Sequence, residues 1–364
     1  MFLRNAWYVG GTSAELNSSG KVAFTMLGEP VVIYRKAKGD PVALEDRCVH
    51  RMAPLSLGRI EGDNLRCMYH GMLFDERGKA LEIPGQPIIP SQACVRSYPV
   101  VERGGWLWVW MGDVAKANQA LIPPVEGLDN PAWFLPQDRL DYVCHYQLIN
   151  DNLTDLGHLA WVHRESFGAD ESWSSTFPKV SPLDRGVRID RWLQSVPPIP
   201  PLGKAAGQGA VDHWAQLDYL VPGVFHFYNA LYPAGTASKY GGEAPSKDDP
   251  SLLYEHYTQQ AVTPMTADTT RYFFSWGPSG RTGSAEDAAV MRQVLNAAFL
   301  EDKTIIEAQH KIIALDPDRK PMPIVHDKGV TLFQRLMQRL MREERDPGDD
   351  TRSTAHVQET ACNR

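Results

Sequence analysis

Cys48-Val49-His50 and Cys67-Met68-Tyr69-His70, with sixteen residues between them, are the stretch on which the reading of this 364-residue chain turns. Each is a Cys/His pair short enough to sit on one tight loop. Thiolate and imidazole are the ligands of soft and borderline metals. A structural zinc site made from two Cys and two His usually takes both Cys from one loop and both His from another. Here each loop carries one of each. That mixing suits a two-iron cluster in which one iron takes both thiolates and the other both imidazoles, an exchange that raises the reduction potential. A zinc site is the alternative at this point.

The flanks point to the cluster. The first loop continues Arg51-Met52-Ala53-Pro54 and the second Gly71-Met72-Leu73-Phe74. Gly71 lets backbone N–H groups approach cluster sulfides, and Pro84-Gly85-Gln86-Pro87 supplies a rigid third loop able to cover them. In these features the stretch resembles the Rieske domain of the ring-hydroxylating and demethylating oxygenases. The extra cysteines that tie the two loops in respiratory-type Rieske proteins are absent, positions 49 and 69 being Val and Tyr. The resemblance therefore implies the lower-potential oxygenase type.

The length allows two domains, and 43% apolar with 22% charged residues is the composition of an ordinary globular protein. A net charge of −7 gives a nucleic-acid role no electrostatic support. Of five Cys, the three outside the pairs (Cys94, Cys144 and Cys362) have no paired spacing, which favours a reducing compartment without a disulfide framework. Cys94 and Cys144 are expected to be core thiols. The opening Met1-Phe2-Leu3-Arg4-Asn5-Ala6-Trp7-Tyr8-Val9 is too short and too aromatic for a signal peptide, and no apolar run reaches the ~18 residues that span a membrane. The expectation is a cytoplasmic protein.

Short β-rich runs fill the first part of the chain: Val22–Met26, Val31–Tyr34, Val42–Glu45, Cys94–Val101 and Trp106–Trp110. Their spacing predicts a small sandwich or barrel over 1–115, with the metal loops inserted between strands. Trp106, Trp108 and Trp110 share one face of a strand, read as a packing face between domains. A proline-bearing linker is placed at 116–140. Over 141–342 further β-rich runs (Val187–Leu193, His213–Val221, Val224–Leu231, Leu253–Thr263, Thr269–Trp276) predict one curved antiparallel sheet. The Gly-rich stretch 235–249 is a candidate for disorder or a lid. A long helix is expected over 285–314, a short amphipathic one over Leu332–Met341, and a disordered tail over 343–364, with Cys362 in it.

A second set of candidates lies in Asp151-Asn152-Leu153-Thr154-Asp155-Leu156-Gly157-His158-Leu159-Ala160-Trp161-Val162-His163. Asn152, Asp155 and His158 step by three, as along one side of a helix. His158 and His163 are about 140° apart on an ideal helix, so they share a metal only if the helix bends, bulges or ends between them. On the long helix Leu295, Phe299, Ile306 and Ile313 form the apolar stripe. Asp302 falls on it, which is costly for a carboxylate unless it is paired or metal-bound. Glu301 and Glu307 lie off the stripe and are expected in solvent. His158, His163 and Asp302 make the two-His, one-carboxylate set of non-haem Fe(II) oxygenases.

With both motifs in hand the chain resembles, over nearly all of residues 1–340, the catalytic α subunit of a Rieske non-haem iron oxygenase. It is most similar to the branch of vanillate O-demethylase, dicamba monooxygenase and toluenesulfonate methyl-monooxygenase. Arg4-Asn5-Ala6-Trp7-Tyr8-Val9, Ile83-Pro84-Gly85-Gln86 and the Asn152, Asp155, His158, His163 pattern carry the resemblance beyond the cluster loops. It implies an α+β fold: an all-β Rieske domain, then a catalytic domain with an antiparallel sheet flanked by helices (helix-grip, START-like). It implies a [2Fe-2S] cluster with Cys48 and Cys67 on one iron and His50 and His70 on the other. It further implies a mononuclear Fe(II) on His158, His163 and Asp302, with Asn152 near the iron but not a permanent ligand. O2 is the implied co-substrate. Asp155 would link the cluster of a neighbouring subunit to His158, making a head-to-tail homotrimer. An NAD(P)H-dependent flavin or ferredoxin-type reductase would supply electrons.

The implied activity belongs to aromatic hydrocarbon catabolism: hydroxylation or O-demethylation of an aromatic acid at an aryl methyl or methoxy group. The rivals are ring dioxygenation or diaryl-ether attack by the same machinery, a Rieske electron-transfer protein without catalysis, and a zinc-stabilised binding module. Candidate substrate-pocket residues are Phe227, Gln260, Trp276 and Leu295.

Overall fold

The structure is a computed structural model that describes residues 1–125, 130–169, 171–199, 202, 207 and 209–346. Its described residues divide into two compact units. The first is built on Met1–Ile122, with Thr263–Ala267 and the chain from Leu340. The second comprises Pro123–Val262 and Asp268–Arg339.

The first unit is almost all β. Its strands are β1 (Trp7–Thr12), β2 (Lys21–Met26), β3 (Glu29–Arg35), β4 (Pro41–Glu45), β5 (Arg59–Glu61), β6 (Asn64–Arg66), β7 (Leu73–Phe74), β8 (Ala80–Glu82), β9 (Ser97–Tyr98), β10 (Val100–Arg103) and β11 (Trp106–Trp110). They form three antiparallel sheets, ordered β1-β11-β10, β2-β3-β4-β9 and β5-β6-β7-β8. The third sheet is a set of two- and three-residue strands too short to register as apolar periodicity, and it carries the metal loops. β11 is central in its sheet, and not only its Trp face but all five of its side chains are inside. Helix α1 (Ser13–Ser19) starts on a capping box between Thr12 and Glu15 and stops at Gly20, whose φ of 72° is left-handed.

The second unit is an α+β layer. Strands β12 (Gln137–Tyr142), β13 (Lys179–Leu183), β14 (Gly186–Val196), β15 (Val211–Leu220), β16 (Val224–Pro233), β17 (Tyr254–Pro264) and β18 (Thr270–Pro278) form one seven-stranded sheet, ordered β12-β18-β17-β16-β15-β14-β13. β13 to β18 are a meander, as the spacing predicts. β12 closes the far edge and begins inside the stretch expected to be linker. Its alternation of charged and apolar residues (Gln137-Asp138-Arg139-Leu140-Asp141-Tyr142) belongs to an edge strand, and Arg271 binds Asp141 across the pair at 2.7 Å.

The helices of this unit are α2 (Tyr146–Thr154), α3 (Leu159–Val162), α4 (Ser172–Ser175), α5 (Thr236–Lys239), α6 (Ala285–Leu315) and, as far as Arg339, α7 (Lys328–Arg345), whose last turns belong to the first unit. α6 lies against β18, with Phe299 on Tyr272 and Phe274 at ring separations of 5.0 and 4.7 Å. Its buried stripe is Ala288, Met291, Leu295, Ala298, Phe299, Asp302 and Ile306. Ile313, expected on it, is 44% exposed, because the helix outruns the sheet it packs on. The stretch 235–249 is folded: Asp212 caps it by accepting from the N–H groups of Gly235 and Ala237, and Asp249 accepts from Lys239, Tyr240 and Ser251.

α7 extends beyond the expected Leu332–Met341 at both ends. Residues 343–345, assigned to the disordered tail, are helical, and Glu344 accepts the Arg4 N–H at 2.8 Å. The rest of the expected tail, 347–364 with Cys362, lies outside the described residues.

Asp151, half-buried on α2, accepts from Gln147 at 2.7 Å and Gln334 at 2.9 Å. Burial pushes its carboxyl up to about 6 against those hydrogen bonds. A carboxyl raised on folding contributes stability below its ordinary value of about 4, and that contribution is lost as pH climbs through about 6. Asp151→Asn is therefore expected to raise the melting temperature at about pH 8, by the equivalent of about 1–2 kcal/mol. At about pH 4 the gain disappears. Thermal melts at the two pH values check this.

Candidate active site

The two cluster loops are built to one plan. In the first, Cys48 N–H donates to Ala53 O at 2.9 Å and Met52 N–H to Cys48 O at 2.9 Å. In the second, Cys67 N–H donates to Met72 O at 2.8 Å and Gly71 N–H to Cys67 O at 3.0 Å. The fifth residue of each loop is left-handed: Met52 at φ 59° and Gly71 at φ 76°. Glycine adopts this freely, whereas methionine does so at a cost of roughly 1 kcal/mol. A Cβ on Gly71 would also sit 2.9 Å from Pro84 Cγ, so the third loop closes directly on it.

Cys48 and Cys67 are each 2% exposed, beside Leu55, Leu65 and Phe74 in the core. His50 and His70 stand at the surface with ring centroids 4.4 Å apart. Burial, and then the neighbouring Cys67, push the Cys48 thiol up to about 11. Two adjoining thiols buried without a cation and two imidazoles side by side above them fit a mixed-ligand two-iron cluster.

The second site is assembled from a broken helix. α2 ends at Thr154, so Asn152, Asp155 and His158 do not share one continuous helix. His158 and His163 instead flank the single turn of α3 as its first and last caps. α3 ends before His163, which at φ −103° and ψ 28° is no longer helical, and this resolves the five-residue step. His158, His163 and Asp302 bring one ligand atom each within 4.8 Å of one another. Nε2 of His158 is 3.7 Å from Asp302 Oδ1, and Nε2 of His163 is 3.3 Å from Oδ2. Asn152 Nδ2 donates to Asp302 Oδ1 at 3.1 Å.

Asp302 is 4% exposed. Burial alone would raise its carboxyl, but the hydrogen bond from His163 and the charge of His158 hold it below the ordinary range. Burial lowers His158. Burial pulls His163 down too, yet Asp302 and Glu301 together raise it. A carboxylate and two imidazoles converging this closely in the interior fit a divalent cation, and the donor set is that of a non-haem iron.

Asp155 meets His158 by a different atom from the one expected. Its backbone carbonyl faces His158 Nδ1, while its carboxylate Oδ1 accepts the Gly157 N–H at 2.7 Å. Oδ2 has no hydrogen bond among the described residues.

The triad floors a cavity whose wall includes all four residues named from the sequence, Phe227, Gln260, Trp276 and Leu295. Gln260 is spoken for by Tyr272, whose hydroxyl donates to its Oε1. Two residues that sequence reasoning missed define the cavity's polar end. His213 Nε2 lies 2.8 Å from Asn229 Oδ1. His256 Nδ1 accepts from Trp276 Nε1 at 2.8 Å, and its Nε2 has no partner among the described residues. Burial lowers both imidazoles, His213 to about 4, so both are neutral at physiological pH. Each sits in a strand of mixed polar and apolar residues that gives it no local signature, and only the β15-β16-β17 register brings them together.

Glu301 is the other residue missed. It is half-buried, and its carboxylate faces His163 Nδ1 at 2.9 Å. Glu307, likewise expected in solvent, accepts from Val143 N–H at 2.8 Å. Cys144 is buried and Cys94 half-buried.

The chain matches the family described as Rieske [2Fe-2S] domain over residues 6–99, and that described as Vanillate O-demethylase oxygenase C-terminal domain over 142–343. It is 38% identical to the toluene-4-sulfonate monooxygenase system iron-sulfur subunit TsaM1 of Comamonas testosteroni, over 94% of this chain and 98% of that one. It is 32% identical to the vanillate O-demethylase oxygenase subunit of a Pseudomonas species, over 96% and 98%. Among solved structures, dicamba monooxygenase bound to 3,6-dichlorosalicylic acid superposes with a TM-score of 0.85 at 28% identity, covering 94% of this chain and 99% of that one. These matches leave neither the zinc-stabilised module nor the pure electron carrier standing. The thiol and imidazole loops, the buried triad and the match along both units make this chain an oxidoreductase, a member of the family of Rieske [2Fe-2S] oxygenase components that carry the vanillate O-demethylase C-terminal domain.

Proposed function

We propose that this protein is the terminal oxygenase of a multicomponent monooxygenase that hydroxylates an aryl methyl group, or O-demethylates an aryl methoxy group, of an aromatic acid. The observation that carries the substrate class is His256. Because its Nδ1 accepts from Trp276, its proton is on Nε2, and that N–H has no partner among the described residues, in a side chain that lines the cavity. A buried donor in this condition costs about 1–3 kcal/mol unless a ligand satisfies it. A carboxylate or sulfonate does so, and Phe227, Trp276 and Leu295 supply apolar faces for the ring that bears it. Relatives named for toluene-4-sulfonate and vanillate, both aromatic acids, support the same class.

Residues 1–115 are read as the cluster domain and 141–342 as the catalytic domain. Cys48 and Cys67 would hold one cluster iron, His50 and His70 the other, and His158, His163 and Asp302 the mononuclear iron. When bound, the cluster supplies single electrons and the mononuclear iron the centre for O2 activation. The chain's own groups do the rest. His256 fixes the acid end of the substrate, which directs the opposite end of the ring toward the triad. Phe167 and Trp276, 5.8 Å apart, keep water from that end. Asn152 holds Asp302 in its rotamer. A hydroxylated methyl group leaves as an alcohol, whereas a hydroxylated methoxy group collapses to the phenol and formaldehyde.

Asp155 carries the assembly part of the proposal. Its unengaged Oδ2 suits the partner subunit's His70, which makes a head-to-tail homotrimer in which electrons cross a subunit boundary. The relatives' names as an iron-sulfur subunit of a system and an oxygenase subunit support an electron-supplying partner. An NAD(P)H-dependent flavin or ferredoxin-type reductase fills that role, in the cytoplasm. Among the described residues no helix is long and apolar enough to cross a membrane.

EPR on dithionite-reduced protein treated with nitric oxide, with and without methyl- and methoxy-substituted aromatic acids, tests the reading. A Rieske signal together with an iron–nitrosyl signal perturbed by one acid is the expected result. A cluster signal alone in iron-replete protein refutes it. His256→Ala is expected to raise the KM for the acid by about 10–100-fold, the worth of one hydrogen bond to a charged group, with a smaller change in kcat. Steady-state kinetics on the acid and its methyl ester check this, since the ester forfeits the same contact in the wild type.

A further inference from the structure

The two imidazoles of the triad are held by chemically different groups. Nδ1 of His158 faces a main-chain carbonyl, that of Asp155. Nδ1 of His163 faces a carboxylate, Glu301 Oε2, at 2.9 Å. The same oxygen accepts from Ser166 Oγ at 2.6 Å, so the carboxylate is itself held in place. His163 is 1% exposed, and its other nitrogen is the one 3.3 Å from Asp302 Oδ2. Glu301 and Asp302 are consecutive on α6. A single step along that helix therefore sets one carboxylate against each nitrogen of a single buried ring.

We infer that Glu301 is a positioning residue for His163. It accepts the Nδ1 proton, which fixes the tautomer that leaves the Nε2 lone pair free for the metal. It stops the ring from turning. Its negative charge, transmitted through the Nδ1–H bond, makes Nε2 a stronger donor than the Nε2 of His158. The result is an unequal pair of imidazole ligands, one backed by a charge and one by a neutral carbonyl. This rests on the reading of His158, His163 and Asp302 as an iron site. It goes beyond that reading by assigning a role to a residue that is not one of the three.

A purely structural tie between α6 and the turn after α3 predicts something different. Glu301→Gln keeps an oxygen to accept from both Nδ1 and Ser166 but removes the charge. Glu301→Ala removes both. If Glu301 positions and charges the ligand, metal affinity falls in both variants. If it only ties two segments together, Glu301→Gln behaves as wild type.

The experiment uses the full chain with its cluster in place and the mononuclear metal removed by mild chelation. Co(II) is then titrated, with binding read from its visible d–d absorption, in wild type, Glu301→Gln, Glu301→Ala, Ser166→Ala and His163→Ala. The expected result is a loss of affinity of about 10–100-fold in Glu301→Ala. A smaller loss with a shifted d–d band is expected in Glu301→Gln, and a few-fold loss in Ser166→Ala, where the carboxylate is present but less firmly held. Wild-type affinity and spectrum in Glu301→Gln overturn the inference, even if Glu301→Ala fails to fold. His163→Ala separates the two levels: if it too binds Co(II) like the wild type, the iron-site reading is what fails.

Discussion

Asp302→Ala is expected to leave the Rieske EPR signal of the reduced protein unchanged while turnover falls to less than about one-hundredth, more than the loss of a residue behind a ligand produces. Asp302 is the one carboxylate of the triad and is 4% exposed. Its two oxygens already face the two imidazoles, at 3.7 and 3.3 Å. Without it two neutral imidazoles remain, and a hard-to-borderline Fe(II) loses its only anionic ligand. Iron content should drop from about three to about two per chain. A colorimetric iron assay run beside the EPR measurement separates this from unfolding, because an unfolded protein loses the cluster as well. Full iron content in Asp302→Ala contradicts the assignment.

The second large effect is expected at Asp155. Asp155→Asn should retain both metals and the fold, yet reduce coupled turnover by about 100-fold. The fold is retained because Asn keeps the oxygen that accepts the Gly157 N–H, and because the contact to His158 Nδ1 comes from the backbone. What disappears is one negative charge on a half-buried residue between α2 and α3, the charge proposed to meet the partner subunit's His70. Reduction of the cluster by dithionite should be as fast as in wild type, and single-turnover product formation should fail. Wild-type product yield in a single turnover removes Asp155 from the electron path.

The cluster loops were legible because all four candidate ligands are local in sequence: Cys48 to His50 and Cys67 to His70 each fit one hairpin. The triad was legible for a different reason. Asp302 stands out as a carboxylate on an apolar stripe, and the His158–His163 step demands that the helix end between them, as it does: α3 is a single turn that stops at Val162, with His163 outside helical geometry. Glu301 was misread because the stripe rule assumes a helix touches its surroundings on one side, whereas α6 is also contacted by the turn that carries His163 and Ser166. His256 was invisible because its meaning depends on Trp276, twenty residues away on the next strand. β12 was hidden in a proline-bearing segment, since an edge strand with one polar face reads like a loop. The short strands β5 to β8 lie below the length at which periodicity can register.

The two cluster hairpins are closed by their own backbone hydrogen bonds, and the thiols lie inside while the imidazoles lie outside. A cradle locked in this way has little freedom to relax when the number of electrons it surrounds changes. A cluster bound there would accordingly have a small reorganisation energy, and electron transfer through it would be set by distance and driving force rather than by motion of the protein. If His50 and His70 hold one iron, the outward pair of rings would be the part of a bound cluster nearest to an electron donor or acceptor.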